Sequence, residues 1–200
     1  MADELVFDTQ PVTSGECVRV SALVRRIVAN NPGPITFTGT CSYIVGNGAV
    51  AIIDPGPDLP GQVDALLEAV RGETVTHILV SHTHRDHSPA ARALKAATGA
   101  PILGCGRHRQ ARPLAIGEVS AIEASNDLDY VPDQELVEGD VVQGRAWRLE
   151  TVETPGHMAN HLAFALPDEQ ALFSADHVMA WSTTVIAPPD GSMSDYMASM

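Results

Sequence analysis

The amino-acid sequence predicts one layered domain of mixed α/β or α+β class. Strand and helix signals alternate between residues 42 and 104, a strand-rich stretch follows between 141 and 174, and 200 residues suit a single core. The order of the signals leaves α/β and α+β both open. With 44% hydrophobic residues and a mean hydropathy near zero, the composition is that of a globular chain, not a disordered one. The expected domain therefore spans 1–200.

Taken in order, the β-prone runs Ser42–Val45 and Val50–Ile53 flank Gly46-Asn47-Gly48, which predicts a hairpin. Asp54-Pro55-Gly56-Pro57 reads as a rigid turn. Val63, Leu66, Leu67 and Val70 then recur at i, i+3, i+4 and i+7, the spacing of an amphipathic helix that stops at Gly72. Thr76–Val80 is a third strand, cut off by the polar run Ser81 to His87. Ser88 reads as an N-cap with Pro89 at the first helical position, and the helix continues to Gly99.

A strand at Pro101–Gly104 precedes a region of poor periodicity, Arg107 to Leu136, expected to be a functional loop carrying substrate contacts. Further strands are expected at Val141-Val142, Trp147–Val152, Leu162–Leu166 and Ala171–Ser174. Thr183–Ile186 is a last strand-like run, followed by a Pro-Pro-Asp-Gly turn and the opening of a helix. No internal repeat is present.

Net charge and cysteine usage narrow the function. The formal charge is −13 with 12 basic residues, too few and too dispersed for phosphate neutralisation along a nucleic acid, so a small-molecule substrate is expected. Bound cations would invert the potential inside a site, so an anionic substrate stays compatible. No apolar run reaches the length of a membrane span, and Met1–Asp8 is acidic where a secretion signal is basic, which predicts a cytoplasmic protein without a membrane partner. Cys17, Cys41 and Cys105 are odd in number and scattered, giving no disulfide framework; each is expected to be a small buried or half-buried side chain.

The chemistry concentrates after the third strand. His82 and His84, at i and i+2, can point to one side of a loop, and Asp86 and His87 follow within reach of the same cavity. Neutral imidazole and carboxylate are the ligands of zinc, and a catalytic zinc keeps one position for water, whose pKa it lowers towards neutrality. A solvated His-rich tract is the plain alternative. The placement between an apolar strand and a helix start argues against it.

Ser81-His82-Thr83-His84-Arg85-Asp86-His87 resembles the [ST]HxHxDH motif of metallo-β-lactamase-fold hydrolases. Thr154-Pro155-Gly156-His157 resembles their TPGH motif, and Phe173-Ser174-Ala175-Asp176 the segment that supplies a bridging aspartate. Asn31-Pro32-Gly33-Pro34, Gly39-Thr40, Asp54-Pro55-Gly56 and Ala187-Pro188-Pro189 extend the likeness, which is nearest to the lactamase-beta-2-like branch. The resemblance implies a four-layer αββα sandwich and two zinc ions per chain. His82, His84 and His157 would hold the first, Asp86 and His87 the second, and Asp176 would bridge them. Asp86, His157 and Asp176 would be catalytic, with a metal-bound hydroxide attacking a small carbonyl substrate such as a thioester, lactone or other ester. An endoribonuclease-type phosphodiester hydrolase is the alternative within enzymology, and a non-catalytic or redox metal-binding protein of the same fold the alternative outside it.

Three departures from the family pattern stand out. Cys41 occupies a place where relatives carry Asn, and Ala175 one where they carry Gly. The family's last ligand to the second zinc, a histidine further along, has no counterpart, and the expectation is that the chain is truncated at its C-terminus. Asp54 and His161 are expected to support the ligands from behind. His177 is expected to point away from the site, His77 to be a packed or edge residue, and Trp181 and Tyr196 to be core aromatics. Arg107, His108, Arg109 and Arg112 read as a solvated basic loop.

Overall fold

The structure is a computed structural model that describes residues 12–118 and 125–200, so Met1–Asp8 and its charge lie outside the described residues. Seven strands form the first sheet in sequence order. They are β1 (Val18–Arg19), β2 (Val24–Val28), β3 (Cys41–Val45), β4 (Ala49–Ile53), β5 (Thr74–Val80), β6 (Ile102–Gly104) and β7 (Gln134–Glu135). β1 to β4 pair antiparallel and β4 to β7 parallel. The expected hairpin is the β3–β4 pair, turning at Gly46 to Gly48.

The parallel half needs crossovers, and the two amphipathic segments supply them. α1 (Gln62–Ala69) joins β4 to β5 and α2 (Ala90–Thr98) joins β5 to β6. α2 packs on β5 and α1 on α2, with Leu66, Ala91 and Leu94 buried in the common core. Gly99 ends α2 with a left-handed φ of 75°.

The second sheet is antiparallel, in the order β11–β10–β9–β8. β8 is Val141–Gln143, β9 Arg148–Glu153, β10 Leu162–Leu166 and β11 Ala171–Phe173. Its inward residues Leu149, Leu162, Phe164, Leu166 and Phe173 belong to one buried cluster with Ile27, Ile44, Ile52, Ile78 and Leu79 of the first sheet. Burying an aliphatic side chain of this size contributes about 1.5–3 kcal/mol. Tyr43 of β3 meets Phe173 of β11 at a ring-centroid distance of 5.0 Å, a direct contact between the sheets. Trp147 closes the core at the hairpin, its indole N–H donating to the Ala49 carbonyl at 2.8 Å and its ring edge meeting His77. His77 is thus the packed residue expected.

The last helix, α3 (Met193–Ser199), is capped by the Ser192 hydroxyl and sits on the loops that follow β9 and β11. Two sheets and three helices in this order form the mixed α/β architecture expected. Among the described residues, no helix is long and apolar enough to cross a membrane.

Three local expectations change. β2 carries no strand signal in the sequence, because Arg25 and Arg26 break its apolar pattern. Ser88 is not an N-cap: Pro89 holds that position, and the Ser88 hydroxyl donates to Asp127 Oδ2 at 2.8 Å. Thr183–Ile186 is not a strand, since Val185 and Thr184 spend their polar groups on the site described next. Cys41 is half-buried and Cys105 buried as expected, but Cys17 is exposed.

Candidate metal centre

Every motif residue lies just past a strand end. β5 delivers Ser81 to His87, β9 delivers His157, and β11 delivers Asp176. Their side chains converge. His82 Nε2 lies 3.1 Å and His157 Nε2 3.0 Å from the same atom, His84 Nδ1. One donor atom each from His82, His84, His157 and Asp176 falls within 4.8 Å of the others. Beside this group, His87 Nε2 lies 3.4 Å from Asp86 Oδ2 and 3.4 Å from Asp176 Oδ1. Asp176 faces both groups: its other oxygen, Oδ2, is 3.9 Å from His82 Nε2 and 3.6 Å from His157 Nε2.

The hydrogen bonds behind the rings fix their tautomers. The Ser81 hydroxyl has one proton and a carboxylate partner, Asp54 Oδ2 at 2.7 Å, so it accepts from His82 Nδ1–H at 2.9 Å. That leaves a lone pair on His82 Nε2, aimed at the centre. His157 Nδ1 faces the Val185 carbonyl at 2.5 Å, which can only accept, so its Nε2 lone pair turns inward too. His87 Nδ1 donates to Asp54 Oδ2 at 2.9 Å and presents Nε2 to Asp86 and Asp176.

Burial keeps the inner imidazoles neutral, which is the form that binds metal. It drives His82 well below the ordinary histidine range, with His87 and His84 adding repulsion. His84 is lowered to about 3 by burial and by His157, and His157 is lowered chiefly by burial. Burial opposes ionisation of Asp86 and Asp176, yet the neighbouring His87 outweighs it; Asp86 falls to about 2, aided by the Thr40 hydroxyl, and Asp176 falls below the usual carboxylate range. Burial likewise opposes charge on His87, and the carboxylates of Asp86, Asp176 and Asp54 override it, raising its pKa.

This donor set fits a divalent cation. A lone pair from each of two imidazoles faces one nitrogen of a third, an arrangement that protons alone leave unsatisfied. His84 Nε2 and His87 Nε2 are buried without a hydrogen-bond partner among the described residues. Imidazole nitrogens and carboxylate oxygens are the ligands of zinc and of neighbouring transition metals.

Asp54 and His161 lie beside the cluster. Asp54 Oδ1 accepts the Ser81 amide at 2.8 Å, completing a carboxylate that holds both Ser81 and His87. His161 is buried, its Nδ1 is 2.7 Å from the Thr154 hydroxyl, and its ring lies 4.9 Å from that of His82. His177 is buried, with its ring 6.0 Å from His161 and 4.8 Å from Tyr196 of α3, and it is not among the four clustered donors.

Other supporting residues were assigned no role in the sequence, although Asn31 and Thr40 lie in segments that carry the likeness. Asn31 grips the Thr40 amide at 2.9 Å and its hydroxyl at 3.1 Å, and that hydroxyl donates to Asp86 Oδ2 at 2.8 Å. Residues 125–127 run alongside the motif loop: Arg85 N–H donates to the Ser125 carbonyl and Asp127 N–H to Thr83. The basic loop is largely solvated, as read: Arg107, Arg109 and Arg112 are exposed, with Arg109 donating to the Ala159 carbonyl at 2.9 Å and Arg112 pairing with Glu118, while the half-buried His108 meets Asp190 at 3.4 Å.

Two cavities open beside the cluster. The larger, about 580 Å³, reaches Asp86, His87 and Asp176 and has apolar walls including Ile35, Phe37, Phe173 and Trp181. Phe37 and Trp181 stack at 5.2 Å, so Trp181 is a cavity wall and not a core aromatic. The smaller, about 320 Å³, reaches His84, Asp86, His157 and Asp176. From the irregular region 107–136, Ser125 lines the smaller cavity; residues 119–124 lie outside the described residues.

The sequence model of the metallo-beta-lactamase superfamily matches residues 35–200. The chain belongs to this superfamily. An atrochrysone carboxyl ACP thioesterase of Cryptosporiopsis is 28% identical over 174 residues, covering 84% of this chain and 47% of that protein. The beta-lactamase-like protein 2 homolog of Caenorhabditis elegans is 31% identical over 186 residues, covering 91% and 57%. The chain thus spans about half the length of the curated superfamily relatives it matches. A beta-lactamase domain protein from Burkholderia ambifaria shares the fold with a TM-score of 0.70 at 20% identity, over 96% of this chain and 67% of that one.

Proposed function

We propose that this chain is a metal-dependent hydrolase of small carbonyl substrates, with thioesters the leading class and lactones and other esters beside them. One observation carries the reading: two imidazoles with fixed tautomers, His82 and His157, aim their lone pairs at Nδ1 of a third, His84, and Asp176 turns one oxygen toward that group and the other to His87. His82, His84 and His157 would hold one zinc ion, Asp86 and His87 a second, and Asp176 both. When bound, such ions acidify water to a nucleophile at neutral pH and stabilise negative charge developing on a carbonyl oxygen.

The chain's own groups do the rest. Asp86, kept ionised by His87 and Thr40, accepts a proton from the attacking water at Oδ2 or orients it. His87 and Asp176 fix the depth at which a scissile bond sits. Ile35, Phe37 and Trp181 exclude bulk water and pack the acyl part.

The thioesterase names of the fungal relatives support a carbonyl centre, and the charge of −13 speaks against a nucleic-acid strand. The test is hydrolysis by zinc-loaded protein of a thioester and lactone panel, set beside single-stranded RNA. Thioester or lactone turnover that vanishes with a chelator is expected. Turnover of RNA alone would replace this reading with phosphodiester hydrolysis, and metal binding with no turnover would reduce the chain to a metal-binding protein.

A further inference from the structure

Two neighbouring arginines on β2 have opposite fates. Arg25 faces the helices and its terminal nitrogens are engaged, pairing with Glu73 at 2.7 Å and donating to the Ala69 and Gly46 carbonyls, while its Nε, like that of Arg26, is buried without a partner among the described residues. Arg26 faces the other side of the sheet, as alternation requires. There its cross-strand partners Val18 and Tyr43, with Ile53 opposite Tyr43, form one row across β1 to β4. All four residues of that row line the larger cavity, which also reaches Asp86, His87 and Asp176.

Among the described residues lining that cavity, Arg26 is the one lysine or arginine. No hydrogen bond or ion pair ties its side chain to any described residue, and its Nε is shielded from solvent without a partner. The half-buried guanidinium has lost hydration at Nε and gained no hydrogen bond from a described residue, and its terminal nitrogens are not shielded in this way. Its planar fork matches a carboxylate, which takes two parallel N–H donors. Around it the walls are apolar: Phe37 and Trp181 form a stacked pair, and Tyr43 and Phe173 a second aromatic contact. The Phe37 backbone is held at φ 54°, a left-handed value that costs a non-glycine residue energy and sets its ring beside Trp181.

We infer that Arg26 is a specificity residue that binds a carboxylate at the far end of the acyl part, so that the substrates are mono-thioesters or monoesters of dicarboxylic acids with an apolar middle. The inference rests on the proposed hydrolase function for its reaction, and on the cavity alone for its ligand. The apolar middle lies along Phe37, Phe173 and Trp181, with the scissile carbonyl at the metal-ligand end and the carboxylate at Arg26. Its location on a strand, and not on a loop, gives the anchor a fixed position.

The test uses the full, zinc-loaded chain. A graded series of dicarboxylic mono-thioesters is compared with monocarboxylic thioesters of equal length, for wild type, Arg26→Met and Arg26→Lys. Wild type is expected to favour one length of the carboxylated series by about tenfold or more in kcat/KM, the size of a charge-assisted hydrogen bond. Arg26→Met should collapse that preference ratio, and Arg26→Lys should keep part of it. Because the readout is a ratio within one variant, a general loss of folded enzyme does not mimic the effect.

An unchanged ratio in Arg26→Met, or a wild type that favours neutral acyl groups, would overturn the inference. Should no thioester be hydrolysed, calorimetry with adipate against hexanoate separates the two ideas, since both offer one carboxylate to metal and only adipate offers a second. Tighter adipate binding in wild type, lost in Arg26→Met, upholds the Arg26 site while removing the hydrolase reading. Equal binding of the two acids in wild type overturns the site as well.

Discussion

Asp54 Oδ2 lies 2.9 Å from His87 Nδ1, and the same oxygen accepts the Ser81 hydroxyl at 2.7 Å. One buried carboxylate therefore sets the orientation of two imidazoles, directly for His87 and through Ser81 for His82. Asp54→Asn keeps the shape and removes the charge and part of the acceptor capacity. Loss of an outer partner of a metal ligand typically costs about 10–100-fold in metal affinity. Competition titration against a chelator should show that loss; wild-type affinity would make Asp54 merely a turn residue.

Gly156 precedes His157 with φ at 149°, and a Cβ there would meet Tyr196 of α3 at 2.5 Å from its Cα. The conflict is with backbone, which cannot swing aside. Gly156→Ala should cost about 1–3 kcal/mol, the usual scale for overpacking, and should displace His157. Denaturant midpoint and metal content are the readouts. A variant unchanged in both shows that α3 is not held against this loop.

Ala175, directly before Asp176, sits at φ 43°, a conformation glycine adopts without strain. Ala175→Gly should raise stability by up to about 1 kcal/mol, relief of left-handed strain outweighing the added chain entropy. A lower thermal midpoint would reverse that balance.

The metal-free protein should weaken on acidification. His82, His84, His157 and His161 all titrate below their ordinary value of 6.5 in the folded state, mainly through burial. The unfolded chain takes up protons at each of them first, so stability present above pH 6.5 is lost as pH falls, for His84 down to about 3. His87 acts in the opposite sense: its raised pKa contributes stability below 6.5 that fades as pH rises through the folded value. Four groups outweigh one. Urea midpoints of chelator-treated protein from neutral to mildly acid pH should decline; a flat or rising series would mean that the imidazoles are not buried neutral.

The proposed ligand residues were legible as a cluster in the sequence because they sit in short motifs at strand ends, where local spacing and tertiary position coincide. The β3–β4 hairpin and both crossover helices were legible for a similar reason, since Gly46-Asn47-Gly48 and the i, i+3, i+4 spacing act locally. Arg26 hid β2, because a charged residue facing a cavity looks like a break in a strand pattern. Thr184 and Val185 looked like a strand and instead spend a hydroxyl and a carbonyl on Asp176 and His157. Ser88 looked like a cap, but its hydroxyl is taken by Asp127, 39 residues away. Asn31 and Thr40 lay in segments that carried the likeness, but their role rests on a contact with Asp86 across the fold, and Ser125 likewise acts through a distant segment, which spacing alone does not encode.

Elemental analysis of the purified 200-residue chain, run beside thioester turnover, decides whether this cluster is a metal centre. About two zinc ions per chain are expected in wild type, with both lost together in Asp176→Ala, and with His82→Ala, His84→Ala and His157→Ala each abolishing turnover. A triple histidine variant that keeps wild-type metal content and turnover would contradict the assignment of this cluster as the metal centre.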